Sequence, residues 1–172
     1  MNKKIIKYLR SDHAGELGAV YIYVGILKTT KCPKIKTFAN THLITERKHL
    51  KEIERILPRI NRSKCLSIWK ISGFLLGAIC GLVGPSWVYA SIERVETFVE
   101  KHYQEQIDYL KNLEIRYSEI LTLLIKCQED EISHKIEAAE SVIKADNSYI
   151  LNYWLWLIDW GSSQAVKIAK AF

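Results

Sequence analysis

Two copies of one ligand pattern stand in this chain. Glu16 is followed by Glu46 and His49, and Glu96 is followed by Glu131 and His134. In each copy a lone glutamate precedes a Glu-x-x-His, by 30 residues in the first and 35 in the second. Residues three apart on a helix share a face, so each Glu-x-x-His aims a carboxylate and an imidazole at one point. One glutamate from each of two helices, with a Glu-x-x-His from each of two others, is the donor set of the di-iron carboxylate bundles. Mixed carboxylate and imidazole donors suit iron or manganese better than zinc, which prefers fewer and softer ligands. The chemistry so implied is oxygen activation or iron oxidation.

The charge balance favours metal. Four ionised glutamates offset two ferrous ions, so the loaded cluster is nearly neutral and can be buried. Without metal the same side chains are buried like charges, which is very costly. Other polar residues stand near the ligands in sequence. Asp130, directly before Glu131, is placed to accept the free N–H of a ligand histidine and fix its tautomer. His102 and Tyr103, about two turns beyond Glu96, are candidates for a proton or electron relay. His13, one turn before Glu16, is a candidate supporting residue, whereas His42 reads as structural.

Six helices must carry these residues. The first is expected over about 12–29, with Ser11 or Asp12 as N-cap. The second runs over about 34–56 and stops before Pro58. A basic loop occupies about 58–64, and an uncharged segment covers 71–92, broken at Gly84-Pro85. The helix carrying Glu96 ends near Asn112. The next covers about 117–144, a turn follows at Asp146-Asn147-Ser148, and a last helix reaches Phe172. Glu16 and Glu46 then lie equally far from their turn, and Glu96 and Glu131 nearly so from theirs near Leu113. An antiparallel hairpin places such pairs at one height, as a shared centre requires. The expectation is an all-α, ferritin-like four-helix bundle with two additional apolar or amphipathic helices. It forms a single domain over 1–172, with 67–92 an apolar membrane-facing insertion and 148–172 a Trp-rich terminal helix.

The chain has 172 residues, 48% hydrophobic and 26% charged, with a formal net charge of +6. That suits one soluble or peripheral domain. The basic excess grows if four glutamates are committed to metal. Cys32, Cys65, Cys80 and Cys127 lack the C-x-x-C spacing of a zinc or iron–sulfur site, and a reducing compartment follows. The N-terminal MNKKIIKYLR lacks the apolar core of a signal peptide, so a cytosolic origin is expected, and the bacterial form if the family also has organelle members.

The uncharged 71–92 segment is long enough to span a bilayer, but the Gly84-Pro85 break makes it read as a core helix or a half-buried element at a membrane surface. Gly73, Gly77 and Gly81 give it a smooth strip for close helix approach, within the chain or against another protein. Tyr149, Tyr153, Trp154, Trp156 and Trp160 cluster near the C-terminus, and such residues favour the membrane interface. Basic residues border these elements: Lys3, Lys4, Lys7 and Arg10; Arg59, Arg62, Lys64 and Lys70; Lys167 and Lys170. That pattern suits peripheral binding to anionic lipid. No element combines a basic stripe with interleaved aromatics, which argues against nucleic acid.

The stretch Ser11-Asp12-His13-Ala14-Gly15-Glu16-Leu17-Gly18-Ala19 resembles the demethoxyubiquinone hydroxylase family. The resemblance continues through Glu46-Arg47-Lys48-His49-Leu50, Gly73-Phe74-Leu75-Leu76-Gly77-Ala78, Val95-Glu96, His102-Tyr103, Gln106-Ile107 and Asp130-Glu131-Ile132-Ser133-His134. It implies a ferritin-like bundle holding two iron ions. Glu16 and His49 would bind the first iron, Glu96 and His134 the second, and Glu46 and Glu131 both. The implied reaction is O2-dependent hydroxylation of a polyprenylated demethoxyubiquinol late in ubiquinone biosynthesis. The enzyme would lie peripherally on the cytoplasmic face of the bacterial inner membrane. The implied partners are the polyprenyl benzoquinol, O2, the membrane surface and a reductant or redox partner. A homo-oligomer or a ubiquinone-synthesis complex stays open.

The rival with the same ligands is a ferritin-like ferroxidase. It has little use for an uncharged helix, and a haem-binding version lacks its methionine, since Met1 is the only one. The other rival is a scaffold bundle binding no stoichiometric iron. No glycine-rich nucleotide motif is present, so reducing equivalents come from a partner, a diffusing reductant or the quinol itself.

Overall fold

The computed structural model describes residues 1–113, 117–142 and 148–172. Among them every long element is helical, as an all-α bundle requires: α1 Lys3–Thr29, α2 Pro33–Ile56, α3 Leu66–Val83, α4 Pro85–Lys111, α5 Ser118–Glu140 and α6 Tyr149–Ala171. A 3-10 turn, Arg59–Asn61, stands in the basic loop. The expected extension to Lys144 and the turn residues Asp146 and Asn147 lie outside the described residues. Ser148 caps α6, its hydroxyl accepting from the Leu151 N–H at 3.2 Å. All four cysteines are free thiols.

Two compact units divide the chain. The first comprises Met1–Val88 and Trp160–Phe172, the second Tyr89–Asp159.

In the first unit, α1 starts nine residues earlier than the Ser11-Asp12 pair suggests. Its N-cap is Asn2, whose side chain accepts from the Lys4 N–H at 2.9 Å. Ile5 and Leu9 are buried one turn apart, and this packing carries the helix through the polar pair. The Ser11 hydroxyl donates back to the Tyr8 carbonyl at 2.7 Å, as serine does inside a helix. α2 opens with Pro33 at its first position, where a missing N–H costs nothing. It ends at Leu57, ahead of Pro58. Arg62 completes that end, its guanidinium donating to the Glu54 carbonyl at 2.9 Å and lying 3.5 Å from that of Leu57.

The glycines of α3 are used inside the unit. A Cβ on Gly73 would meet the Gly18 carbonyl, one on Gly77 the Ile22 carbonyl, and one on Gly81 Thr29 and the Ile26 backbone. From the other side, a Cβ on Gly25 would strike the backbone of Phe74 and Ala78. α1 and α3 thus touch backbone to backbone, the role that small residues serve at close helix crossings. Ala14, Leu17, Trp69 and Ala169 form a core cluster beside this contact, with Tyr21, Leu50 and Ala165 packed on it. The Trp69 indole donates to Ser63 Oγ at 3.0 Å. On α3 the residues Ile68, Ile71, Leu75, Ile79 and Leu82 remain exposed. By length and composition α3 could cross a bilayer. It stops at Gly84, whose φ of 132° and ψ of −174° favour glycine. The 67–92 segment is therefore divided, and its second part opens α4 with Pro85.

In the second unit, Gln128 of α5 donates to the Glu100 carbonyl at 3.1 Å and to Gln104 Oε1 at 3.0 Å. Lys135 pairs with Glu100 at 2.5 Å. These contacts fix the register of α4 against α5. Toward the far end of α4, the Trp154 indole donates to the buried Ser91 hydroxyl at 2.8 Å.

Candidate metal centre

Each unit contains one of the two ligand triads. Glu16 stands thirteen residues before the end of α1, and Glu46 thirteen after the start of α2. An antiparallel hairpin brings residues so placed to one height. Glu46 and His49 share a face of α2. One donor atom each from Glu16, Glu46 and His49 lies within 4.8 Å of the others. His49 Nδ1 is 3.6 Å from Glu16 Oε2. In the second unit, Glu96 on α4 joins Glu131 and His134 on α5, again with donor atoms within 4.8 Å of one another. Here His134 Nδ1 lies 3.1 Å from Oε2 of Glu131, on its own helix.

All six residues are buried, none more than 7% exposed. The donor set fits a cation. Ligand bonds of about 2.1 Å put opposed donors ~4.2 Å apart, close to the spread within each triad. Oxygen donors with one imidazole per triad are the chemistry of iron or manganese rather than of a soft metal. A protein core does not otherwise gather two carboxylates and an imidazole at one point, because burying unbalanced charge is too costly.

The remaining sequence candidates fall in different settings. Tyr103 is buried on α4, seven residues after Glu96, hence nearly on the same face. His102 is half-buried, its ring stacked with that of Phe98 at 6.3 Å between centroids. That direction lies well round the helix from Glu96. Asp130 is half-buried and precedes Glu131 on α5. His13 is buried and bonded to Glu54 Oε1 at 3.2 Å.

Three polar groupings escape a linear reading. Glu54 joins His13 to Arg62, Gln128 and Lys135 join α5 to Glu100, and Tyr23 joins His42. The only available signal was helical spacing from the ligands: Tyr23 follows Glu16 by seven, His42 precedes Glu46 by four, and Glu100 follows Glu96 by four.

Paired Glu, Glu-x-x-His triads buried on helices define an all-α protein with carboxylate–histidine clusters built for metal. The chain belongs to the family described as ubiquinone biosynthesis protein COQ7, whose model matches residues 3–169. It is 28% identical over 167 residues to the rat NADPH-dependent 3-demethoxyubiquinone 3-hydroxylase, mitochondrial, covering 95% of this chain and 76% of the rat protein. It is 30% identical over 141 residues to the Dictyostelium discoideum protein of the same name, covering 78% of this chain and 63% of that one. The 3-demethoxyubiquinol 3-hydroxylase of Coxiella burnetii is 27% identical over 144 residues, covering 83% of this chain and 66% of the relative.

Proposed function

We propose that this chain is an O2-dependent 3-demethoxyubiquinol 3-hydroxylase acting on a polyprenylated quinol in ubiquinone biosynthesis. Two buried triads of the same composition, in a chain of this family, carry the reading. Between them the two triads offer the donors that two iron ions require. Glu16 and His49 would hold the first iron and Glu96 and His134 the second, with Glu46 and Glu131 completing the donor set. Iron held there supplies the redox chemistry that couples O2 to hydroxylation of the ring.

The side chains do the rest. Four carboxylates neutralise the metal charge, so the site can stay dry. The two imidazoles complete the donor set without adding charge. Tyr103, buried two turns from Glu96, is the relay residue, with His102 beside it at the half-exposed end of the path. Asp130 is the carboxylate that would accept the free N–H of a ligand histidine and fix its tautomer. The Gln128 and Lys135 contacts to Glu100 hold α4 and α5 in register there.

A polyprenyl quinol is nearly insoluble in water, so the enzyme draws it from a lipid surface. The exposed apolar row of α3 and the exposed Trp156 and Trp160 of α6 support binding on that surface. α3 cannot enter the bilayer fully, because its glycine face is bound to α1, which carries buried Asp12, His13 and Glu16. These features support a peripheral position, on the cytoplasmic face of a bacterial inner membrane. Two relatives are named for NADPH dependence. With no nucleotide motif in this chain, electrons arrive from outside the fold.

The deciding experiment incubates purified, iron-loaded protein with a demethoxyubiquinol analogue, a reductant and isotopically heavy oxygen. Iron-dependent gain of one labelled oxygen atom is expected. Retention of iron with no product would favour the ferroxidase. Neither iron nor product would leave only a scaffold.

A further inference from the structure

The first unit also buries a pair of polar rings outside the six metal donors. Tyr23 Oη lies 3.2 Å from His42 Nδ1. The two residues are 0% and 1% exposed. Phe38 covers the imidazole at 4.1 Å between centroids and lies 6.4 Å from the tyrosine ring. Seven residues separate Tyr23 from Glu16 on α1, and four separate His42 from Glu46 on α2. Both spacings return to the ligand-bearing face of their helix. At 1.5 Å per residue the pair sits about 6–10 Å along the helices from the Glu16, Glu46 and His49 triad. A phenol and an imidazole here could serve only to satisfy each other in the core. Their shared position on both ligand faces assigns them more.

We propose that Tyr23 and His42 form a proton-coupled redox pair that donates an electron to the metal centre when O2 is reduced there without quinol. The proposal rests on the di-iron reading above. Reduction of O2 to water takes four electrons. Two ferrous ions supply two, and a bound quinol supplies the others in normal turnover. With no quinol present, Tyr23 supplies one and an external reductant, or further ferrous ion, the last. As the electron leaves, the phenolic O–H bond breaks and its proton moves to His42 Nδ1. The products are a neutral phenoxyl radical and an imidazolium. An electron from the reductant and the return of that proton restore the pair. A phenol that loses an electron becomes a strong acid, so a buried tyrosine is readily oxidised only beside a base. His42 is that base, and the apolar packing of Phe38 keeps water from the radical.

The test is electron paramagnetic resonance of iron-loaded, reduced protein, frozen shortly after mixing with O2 in the absence of quinol. A tyrosyl signal is expected, narrowed by ring-deuterated tyrosine and coupled to the nitrogen of labelled histidine. Tyr23→Phe should abolish it. His42→Gln should slow formation of the signal by ~100-fold, the scale of one positioned proton acceptor. Quinol hydroxylation should continue in both variants. If either variant fails to fold, the isotope couplings in the unaltered protein decide alone. Iron oxidation with no tyrosyl signal, a signal without histidine coupling, or one that survives Tyr23→Phe would overturn the pair, while hydroxylation left the enzyme reading intact. A protein that binds no iron lacks the oxidant, and both readings fall together.

Discussion

His13 Nε2 lies 3.2 Å from Glu54 Oε1, and this contact ties α1 to α2 one turn before the candidate ligand Glu16. The histidine is 2% exposed, whereas the glutamate side chain is 38% exposed. Arg62 Nη1 reaches the same oxygen at 2.8 Å. A buried ring is thus joined to solvent through a half-exposed carboxylate, and its protonation bears on stability.

Burial holds the His13 pKa below its ordinary value of 6.5, and the Arg62 charge pushes it the same way. The hydrogen bond and charge of Glu54 oppose this without overcoming it. The unfolded chain therefore takes up its proton first as pH falls, and folded stability drops from about pH 6.5 downward until the folded state protonates too. Thermal melts of metal-free protein from about pH 7 to 5 should show a steeper loss than those of His13→Asn. Equal slopes would mean that His13 titrates normally.

Gly77→Ala should destabilise the protein because the new Cβ runs into the rigid Ile22 carbonyl. Overpacking of this kind costs ~1–3 kcal/mol, or a melting temperature lower by about 2–4 °C per kcal/mol in a chain of this size. Gly161→Ala is the control, since nothing lies within 4 Å of its added Cβ. It should gain up to ~1 kcal/mol from helix propensity. A Gly77→Ala protein as stable as the original would show that α1 and α3 stand further apart.

Iron stoichiometry should fall in Glu46→Gln and in Glu131→Gln, with iron-dependent stabilisation reduced in parallel. Binding only to the folded state adds ~2.7 kcal/mol at free metal one hundred times Kd. Glu129→Gln, an exposed change two residues from Glu131, should leave both properties intact. Full iron content in the Glu46 and Glu131 variants would remove them from the ligand set.

Leu75→Ser with Ile79→Ser should weaken sedimentation with anionic vesicles, and Trp156→Ser with Trp160→Ser should do so independently. All four residues are exposed. Losing ~1.5–3 kcal/mol per buried apolar side chain makes a drop of at least tenfold per pair the expected scale. Unchanged lipid binding in both double variants would place the membrane contact elsewhere.

Local chemistry made much of this legible. Proline marks the starts of α2 and α4, Pro58 the stop of α2, and the Glu-x-x-His spacing needs only helical geometry to bring a carboxylate and an imidazole together. The start of α1 was hidden because Ser11 and Asp12 carry the side chains of an N-cap, and only packing of Ile5 and Leu9 overrides that preference. The glycine strip announced a close approach but not its partner. Nothing in the spacing of Gly73, Gly77 and Gly81 points to Gly18, Ile22 and Ile26 rather than to another molecule. The Tyr23–His42 bond was equally hidden, since it joins two helices through a contact that either residue alone could satisfy elsewhere.

The order of the helices bears on how such a chain is made. By length and composition α3 matches a membrane span. During synthesis α1 leaves the ribosome well before α3, so the surface that fits the α3 glycines already exists when they emerge. Docking onto α1 then competes with lateral release into lipid. A bulky residue at Gly77 would weaken that docking and so tilt the competition toward lipid.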